Sequence, residues 1–458
     1  MKRPLFFILL LAIIVIFNNC KNTGGGQLIG VQDREKWSLP DPYGMLFIPM
    51  GSYTMGPSDQ DVPYSQISPS KTVSVQAIYM DETEITNNEY RQFVDWVRDS
   101  IAHILLGQSF EDHLITTNKY NEDLNPPFIN WKTRIKWDAK DEEVREILNQ
   151  MYLPEHERFY RRKEIDTRKL NFEYYWIDLK AAANKSNRYE FKKDEQGNIT
   201  GGAYGNNIKD RSAFIKRDVT NIYPDTLCWI HDFTYSFNEP MTEKYFWHPA
   251  YDNYPVVGVN WKQARAFCIW RTQFMNNYRR QNGLTDVNNF RLPTESEWEW
   301  AARGGLDLNP YPWGGPYVRN SNGCFLGNYK PLRGNYVDDG GFHTLVAAHF
   351  APNDFGLYDM AGNVAEWTNN AYDESTYSFA HDLNMDYQYE ANDNDPPALK
   401  RKVIRGGSWK DIGYYMQAST RTYEYQDTAK CYIGFRCVQT YLGRHKKDGP
   451  NASNVYNN

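Results

Sequence analysis

Asp359 and Glu366 lie in NDFGLYDMAGNVAEW (Asn353 to Trp367), a stretch with no helical or strand period. Gly, Asn and Asp crowd it, the residues of turns and positive φ. Phe355, Leu357, Tyr358, Met360, Val364 and Trp367 nevertheless point to partial burial. A buried irregular segment leaves carbonyls without ladder partners. A hard cation is one way to satisfy them. Asp359, the carbonyls of Gly362 and Val364, and Glu366 offer the oxygen ligands that Ca2+ takes. The competing reading is a tight turn with two solvated acids, since two carboxylates do not make a site.

Thiols are the other reactive groups. Cys20 stands near the N-terminus, and Cys228, Cys268, Cys324, Cys431 and Cys437 follow. An odd set of five leaves at least one thiol without a bridge within the chain. The nine histidines show no H-E-x-x-H or similar ligand spacing. The acidic stretch Asp382 to Pro397 lacks the Gly and terminal Glu of an EF-hand and reads as a solvated loop. A net charge of −6 gives no basic face for nucleic acid.

The elements that must position these groups are partly legible. The 458 residues suffice for one large core or two domains, and 41% apolar with 24% charged is a globular balance. Aromatics at 16% suit a loop-rich fold with large, partly polar anchors. Tyr43 to Gly56 reads as strand, Gly turn and strand, and Lys71 to Tyr79 as another strand. Thr86 and Glu89 form a capping box for a helix whose core face is Tyr90, Phe93, Val94, Val97 and Ile101. Asn260 with Gln263 caps a second helix, its inner face Ala264, Phe267, Cys268 and Phe274 or Met275. Thr294 and Glu297 cap a third, which Gly304 ends and which Trp298 and Trp300 wedge into the core. A hairpin is expected in KKDEQGNITGG.

At the N-terminus, Lys2 and Arg3 precede an apolar run from Leu5 to Phe17. It is short for a membrane span and suits a secretory h-region. FNNC then places Cys20 as the lipidated first residue of a mature lipoprotein, with Phe17 and Asn19 at the positions usually held by Leu and a small residue. Ordinary cleavage, or retention as an anchor, is the alternative. Lipid on Cys20 would hold the chain at a membrane without a span. Residues 20–40, with a Gly run, read as a tether, and 441–458 as a polar tail. Export would permit disulfides.

Five motifs in order carry a family resemblance: RLPTESEWEWAARGG (Arg291 to Gly305), YPWG (Tyr311 to Gly314), the Asn353 to Trp367 stretch, RGGSW (Arg405 to Trp409) and GFRC (Gly434 to Cys437). Together they resemble the sulfatase-modifying, formylglycine-generating-enzyme-like family. The resemblance implies an α+β, loop-rich fold related to C-type lectins, spanning residues 41–440. An insertion of about 103–247 interrupts it. Such insertions commonly carry function or partner contacts; the alternative is passive elaboration.

The resemblance also implies what is missing. The family's oxidases use two cysteines that hold Cu(I) and exchange with a substrate thiol. They follow RGGS at offsets that here fall on Asp411 and Met416. A carboxylate and a thioether cannot exchange thiols, so the expectation is a non-catalytic member. The histidine set of related iron-dependent sulfoxide synthases is not found either. Two other family cysteines map to Cys268 and Cys437 and imply a disulfide, worth ~2–4 kcal/mol. A second family bridge would need Ala302 and Arg421 and is absent. The family's calcium pattern falls on Asp359, Gly362, Val364 and Glu366. A second calcium site would use Asp339, with Gly323 nearest the place of its Asn ligand.

A narrower resemblance is carried by the lipoprotein start, GQLIGVQDREKW (Gly26 to Trp37), MGPSDQDV (Met55 to Val62), YPDTLCWIHDF (Tyr223 to Phe233) and YFWHPAYDNYPVVGVNWKQA (Tyr245 to Ala264). These are similar to the GldK/PorK family of gliding-motility and type IX secretion lipoproteins. That similarity implies a structural role at the periplasmic face of the outer membrane, self-association in a ring and a GldN/PorN-like partner. Lys21-Asn22-Thr23 is not the acidic run that usually follows the Cys of surface-exported lipoproteins. Two other classes stay open: a calcium-dependent carbohydrate or protein binder, and a thiol oxidase using other cysteines such as Cys431 and Cys437.

Overall fold

A computed structural model describes residues 39–57, 69–206, 208–232, 240–331 and 334–443. The signal segment, Cys20, nearly all of the tether and nearly all of the polar tail lie outside the described residues. No described helix is long and apolar enough to cross a membrane.

Two four-stranded sheets frame the site. The first has the order β1 (Met45–Ile48), β4 (Ile78–Asp81), β16 (Val438–Thr440) and β11 (Phe290–Arg291), antiparallel throughout. The second runs β14 (Thr422–Tyr425), β13 (Arg401–Arg405), β12 (Ala365–Ala371) and β15 (Ile433–Gly434), the last pair parallel. β2 (Gly51–Met55) pairs with β3 (Lys71–Val75) as a separate ribbon. The expected strand, turn and strand at Tyr43 to Gly56 therefore exists, but β1 and β2 enter different sheets. The single strand expected at Lys71 to Tyr79 breaks at Gln76-Ala77 into β3 and β4.

The caps sit where the sequence puts them. Helix α1 (Asn87–Leu106) begins with the Thr86/Glu89 capping box and buries Tyr90, Phe93, Val94 and Val97. Its 20 residues continue past the expected face to Leu106. Of the shorter helices, α2 (Glu142–Asn149) and α3 (Cys228–Asp232) lie within the insertion. Helix α4 (Trp261–Gln281) carries the Asn260/Gln263 box and buries Ala264, Phe267 and Cys268. Of the two alternatives, Phe274 or Met275, Phe274 is the one turned outward. It is 56% exposed and stacks on Trp270 at 5.5 Å, because Asn276 takes the inward position and bonds to Val287. Helix α5 (Glu295–Arg303) has its Thr294/Glu297 box and ends at Gly304 with φ 62°. Trp298 and Trp300 are both buried, packed with Ile48, Met55, Val73, Leu357 and Met360.

Besides its helices, the insertion holds three separate two-stranded ribbons. β5 (Leu114–Thr117) pairs with β6 (Asp123–Ile129), β7 (Asn171–Ile177) with β10 (Ile215–Asn221), and β8 (Tyr189–Lys193) with β9 (Ile199–Tyr204). β8 and β9 are the expected hairpin, with Asp194 accepting N–H bonds from Gln196 and Asn198 across the turn. β7 alternates: Phe172 and Tyr174 are buried, and Phe172 meets Phe93 of α1 edge-on at 5.3 Å. Tyr90 of α1 donates to Ile222 O at 2.9 Å, just beyond β10. One edge of the insertion is thus continuous with the core.

Candidate functional site

The RGGSW loop leaves β13 through two glycines at positive φ, Gly406 at 91° and Gly407 at 66°. A Cβ on Gly407 would stand 2.7 Å from Tyr415 O, so no side chain fits without backbone movement. Gly407→Ala should therefore cost roughly 1–3 kcal/mol through αL strain plus the clash. Thermal melting reads this directly, and an unchanged midpoint would show that the loop can give way. Arg405 is fully buried. It reaches Glu295, Tyr377 Oη at 3.0 Å, and the carbonyls of Ala418 and Thr420 at 3.0 and 3.2 Å.

The Asn353 to Trp367 segment is tied to this loop by its backbone. Gly362 N–H donates to Gly406 O and Trp409 N–H donates to Asn363 O, each at 2.9 Å. The segment is irregular as expected as far as Val364, with Asp359 at φ 54° and Asn363 at φ 61°. Its last three residues are already β12.

The two positions on which the resemblance places the family's thiols hold structural groups. Asp411 accepts from Ser408 Oγ at 2.6 Å, and its N–H bonds Ser408 O at 2.9 Å, closing a turn. Burial holds its carboxyl above the usual range. Met416 is fully buried among Tyr311, Phe325, Tyr329 and Ala361. Neither residue offers the thiolate that thiol exchange requires, and the single Met416 thioether beside a carboxylate is not a pair of soft ligands for Cu(I), so the family's copper-thiol chemistry does not fit this pair.

The second chemistry-bearing cluster is centred on Arg436, which lies just past β15. The parallel pairing Glu366↔Gly434 brings Glu366 beside it. The buried guanidinium bonds both Glu366 oxygens at 2.6–2.9 Å, and Trp298 Nε1 adds a bond to Oε2 at 2.7 Å. Arg436 also donates to the carbonyls of Tyr358 and Asp81. Glu84 joins because Ile85 N–H donates to Phe435 O at 3.0 Å. One Glu84 oxygen accepts from Asn363 Nδ2 at 3.1 Å; the other is buried with no hydrogen-bond partner. Asp359 accepts the Ala348 N–H at 2.6 Å. Burial pushes Asp359 up to about 6, despite that N–H and Arg436. Burial, then the Asp359 charge, pushes Glu84 well above the carboxylate range. The centre holds Glu84, Asp359 and Glu366 against the single guanidinium of Arg436.

The expected calcium ligands can be tested against this geometry. Glu366 is turned to Arg436 and Trp298 with both oxygens engaged, and one Asp359 oxygen is committed to Ala348. As arranged, Asp359, Gly362, Val364 and Glu366 do not form a calcium cage. Among the described residues, no group of three or more His, Cys, Asp or Glu side chains could hold a metal. At the second expected site, Gly323 lies in an exposed turn. Asn328 is the buried asparagine there, and its Nδ2 donates to His343 O at 2.7 Å. Asp339 accepts from Gly341 N–H at 3.0 Å, and its Oδ2 is buried without a hydrogen-bond partner. One carboxylate is not a cage either.

The thiols are sorted by the fold. Cys268 and Cys437 stand Sγ to Sγ at 3.4 Å, in contact as thiols, where a bonded pair would be about 2.05 Å apart. Burial pushes the Cys437 thiol well up. Cys431 lies in a different cluster, beside Trp229, Val257 and Val364. The alternative redox pair, Cys431 with Cys437, is therefore not one constellation.

Residues 32–441 match the model of the sulfatase-modifying factor enzyme 1-like domain. The chain belongs to this family. Within it, the chain is 36% identical over 192 residues to the inactive C-alpha-formylglycine-generating enzyme 2 of Bos taurus, covering 40% of this chain and 50% of that protein. It is 22% identical over 407 residues to the Bos taurus formylglycine-generating enzyme, covering 88% and 76%. The chain spans about half the length of the inactive curated relatives it matches. Among solved structures, PvdO from Pseudomonas aeruginosa aligns with TM-score 0.43 and 16% identity, over 89% of this chain and 100% of that one. Similarity to inactive members supports a non-catalytic sulfatase-modifying-factor domain here, although other relatives are active enzymes.

Glu84 was not legible as a site residue. An acid one residue before Ile85 and two before a helix cap reads as solvated, and tertiary bonds bring it to Arg436: Ile85 N–H to Phe435 O, and Arg436 to the carbonyls of Asp81 and Glu82. Arg436 was visible solely as a letter of GFRC.

Proposed function

We propose that this chain is a non-catalytic structural lipoprotein of the type IX secretion and gliding-motility machinery. In this reading it is anchored through Cys20 at the periplasmic face of the outer membrane. It forms a ring by self-association with a GldN/PorN-like partner. The observation that carries the non-catalytic part is a turn-forming Asp411 and a core Met416 at the positions where the resemblance places the family's two thiols. Support for the assembly comes from the sequence similarity to the GldK/PorK family, part of which lies inside the insertion. Ring closure needs heterologous contacts, and the outward face of the β7/β10 ribbon exposes Tyr175, Ile177, Ile215 and Val219. Removing the ribbon outright would be a poor test, because Phe172 and Tyr174 belong to the core.

The test is mild-detergent extraction of the C-terminally tagged chain from its native envelope, with identification of co-purifying proteins and imaging of particles. Rings containing a GldN-like protein are expected, and Ile177→Asp with Ile215→Asp should release that protein while leaving the melting temperature unchanged. A lone monomer, in a preparation that keeps other envelope complexes intact, would sink the scaffold reading. One observation keeps a saccharide-binding reading in view: a cleft of about 290 Å3 lined by Tyr372, Tyr387, Tyr389, Asp373, Glu374 and Arg401. Retention of the monomer on a glycan column, lost on Tyr387→Ala, would favour it.

A further inference from the structure

Five cysteines lie in the described residues, and their surroundings divide them. Cys268 and Cys437 face each other at 3.4 Å. Cys324 is exposed at a turn, where its N–H bonds Asn320 Oδ1 at 2.9 Å. Cys228 and Cys431 remain. They lie 203 positions apart in sequence, yet both are buried, 3% and 1% exposed, in one packed cluster with Trp229, Met241, Tyr245, Val257 and Val364.

Gly258 draws their two segments together. Its N–H donates to Lys430 O at 2.9 Å, and its carbonyl accepts Asp225 N–H at 2.7 Å. A Cβ on Gly258 would stand 3.2 Å from Cys228 Sγ and 2.4 Å from Asp225 O. Its positive φ of 74° and missing side chain leave that space to the Cys228 sulfur. Trp409 closes the far side. Its indole N–H donates to Cys431 O at 3.3 Å, and its ring stacks on Trp229, the residue after Cys228, with centroids 6.1 Å apart.

We propose that Cys228 and Cys431 form a disulfide that fastens α3, the returning end of the insertion, to the core beside RGGSW. The bond forms by exchange with a small-molecule or protein disulfide. One cysteine thiolate attacks the incoming disulfide and releases a thiolate; the second cysteine then displaces the remaining one. The chain loses two electrons and two protons, and the incoming disulfide becomes two thiols. Since both sulfurs are buried in the folded chain, the exchange precedes docking of α3. With Cys268 and Cys437 as the other neighbouring pair, Cys324 is the odd thiol.

The test is to fold the chain in reduced and oxidised glutathione, alkylate it under denaturing conditions without reductant, and map the peptides. The Cys228 and Cys431 peptides should be recovered as one linked species that dithiothreitol separates, with Cys324 alkylated. Recovery of Cys228 and Cys431 separately alkylated, or joined to other cysteines, overturns the proposal. In a second arm, C228S, C431S and the double variant are compared with wild type by thermal melting. A shared bond makes the three losses equal; losses that add in the double variant overturn it.

Discussion

Arg436→Met should destabilise the chain by about 3–5 kcal/mol at pH 8, the range for breaking a buried ion pair from one side. The guanidinium is fully buried and is the cation bonded to Glu366. It also binds the carbonyls of Tyr358, Asp81 and Glu82, so it joins the Asn353 to Trp367 segment to the turn after β4. Methionine fills much of the volume but removes the buried guanidinium that faces Glu84, Asp359 and Glu366. The loss should therefore shrink as pH falls toward 5 and Glu84 and Asp359, both raised by burial, take up protons. Arg436→Lys should fall between, since it keeps a charge but not the fork that grips two oxygens. Urea unfolding followed by tryptophan fluorescence measures all three. A loss under about 1 kcal/mol at pH 8 would contradict the assigned role.

Asp359→Asn should act in the opposite direction. The folded chain holds Asp359 at about 6, above the ~3.9 of an exposed aspartate. The folded state thus binds a proton that the unfolded state releases in between. That contribution is fully present below the unfolded value and is lost as pH rises through about 6. Glu84, shifted the same way, adds to the trend. In EDTA, wild type should become more stable as pH drops from 8 toward 5. Asparagine removes the surplus charge, so the variant should gain up to about 3 kcal/mol at pH 8 and show a flatter profile. A variant less stable than wild type at pH 8 in EDTA would refute this. Calcium is the control: if it raises the wild-type midpoint and Asp359→Asn abolishes the rise, a cation relieves the charge and Asp359 ligates it.

The fold was legible where local chemistry dictates it. Capping boxes at Thr86, Asn260 and Thr294 name their own partners three residues on, so helix starts follow from spacing alone. The break between β3 and β4 was not legible, because Gln76-Ala77 carries no turn signal; the division follows from which sheet each half joins. Phe274, one of two alternatives for the inner face, lies outward for a related reason. Helical spacing permits it inside, but Asn276 has a partner at Val287 and claims the inward position. At the site, Asp359 and Glu366 were identified as a pair, yet the period of the sequence cannot show that Glu366 faces a guanidinium from a parallel neighbour. Pairing across 70 residues is tertiary information.

The RGGSW loop holds its shape for reasons independent of oxidation chemistry. Arg405 is locked by Glu295 and the carbonyls beyond Met416, and Gly407 by the nearness of Tyr415. These demands persist whatever stands at 411 and 416. A search that sorts sequences by this motif will therefore collect folds rather than activities. The informative letters for classification are those at 411 and 416, which the glycines and Arg405 of the loop do not themselves dictate.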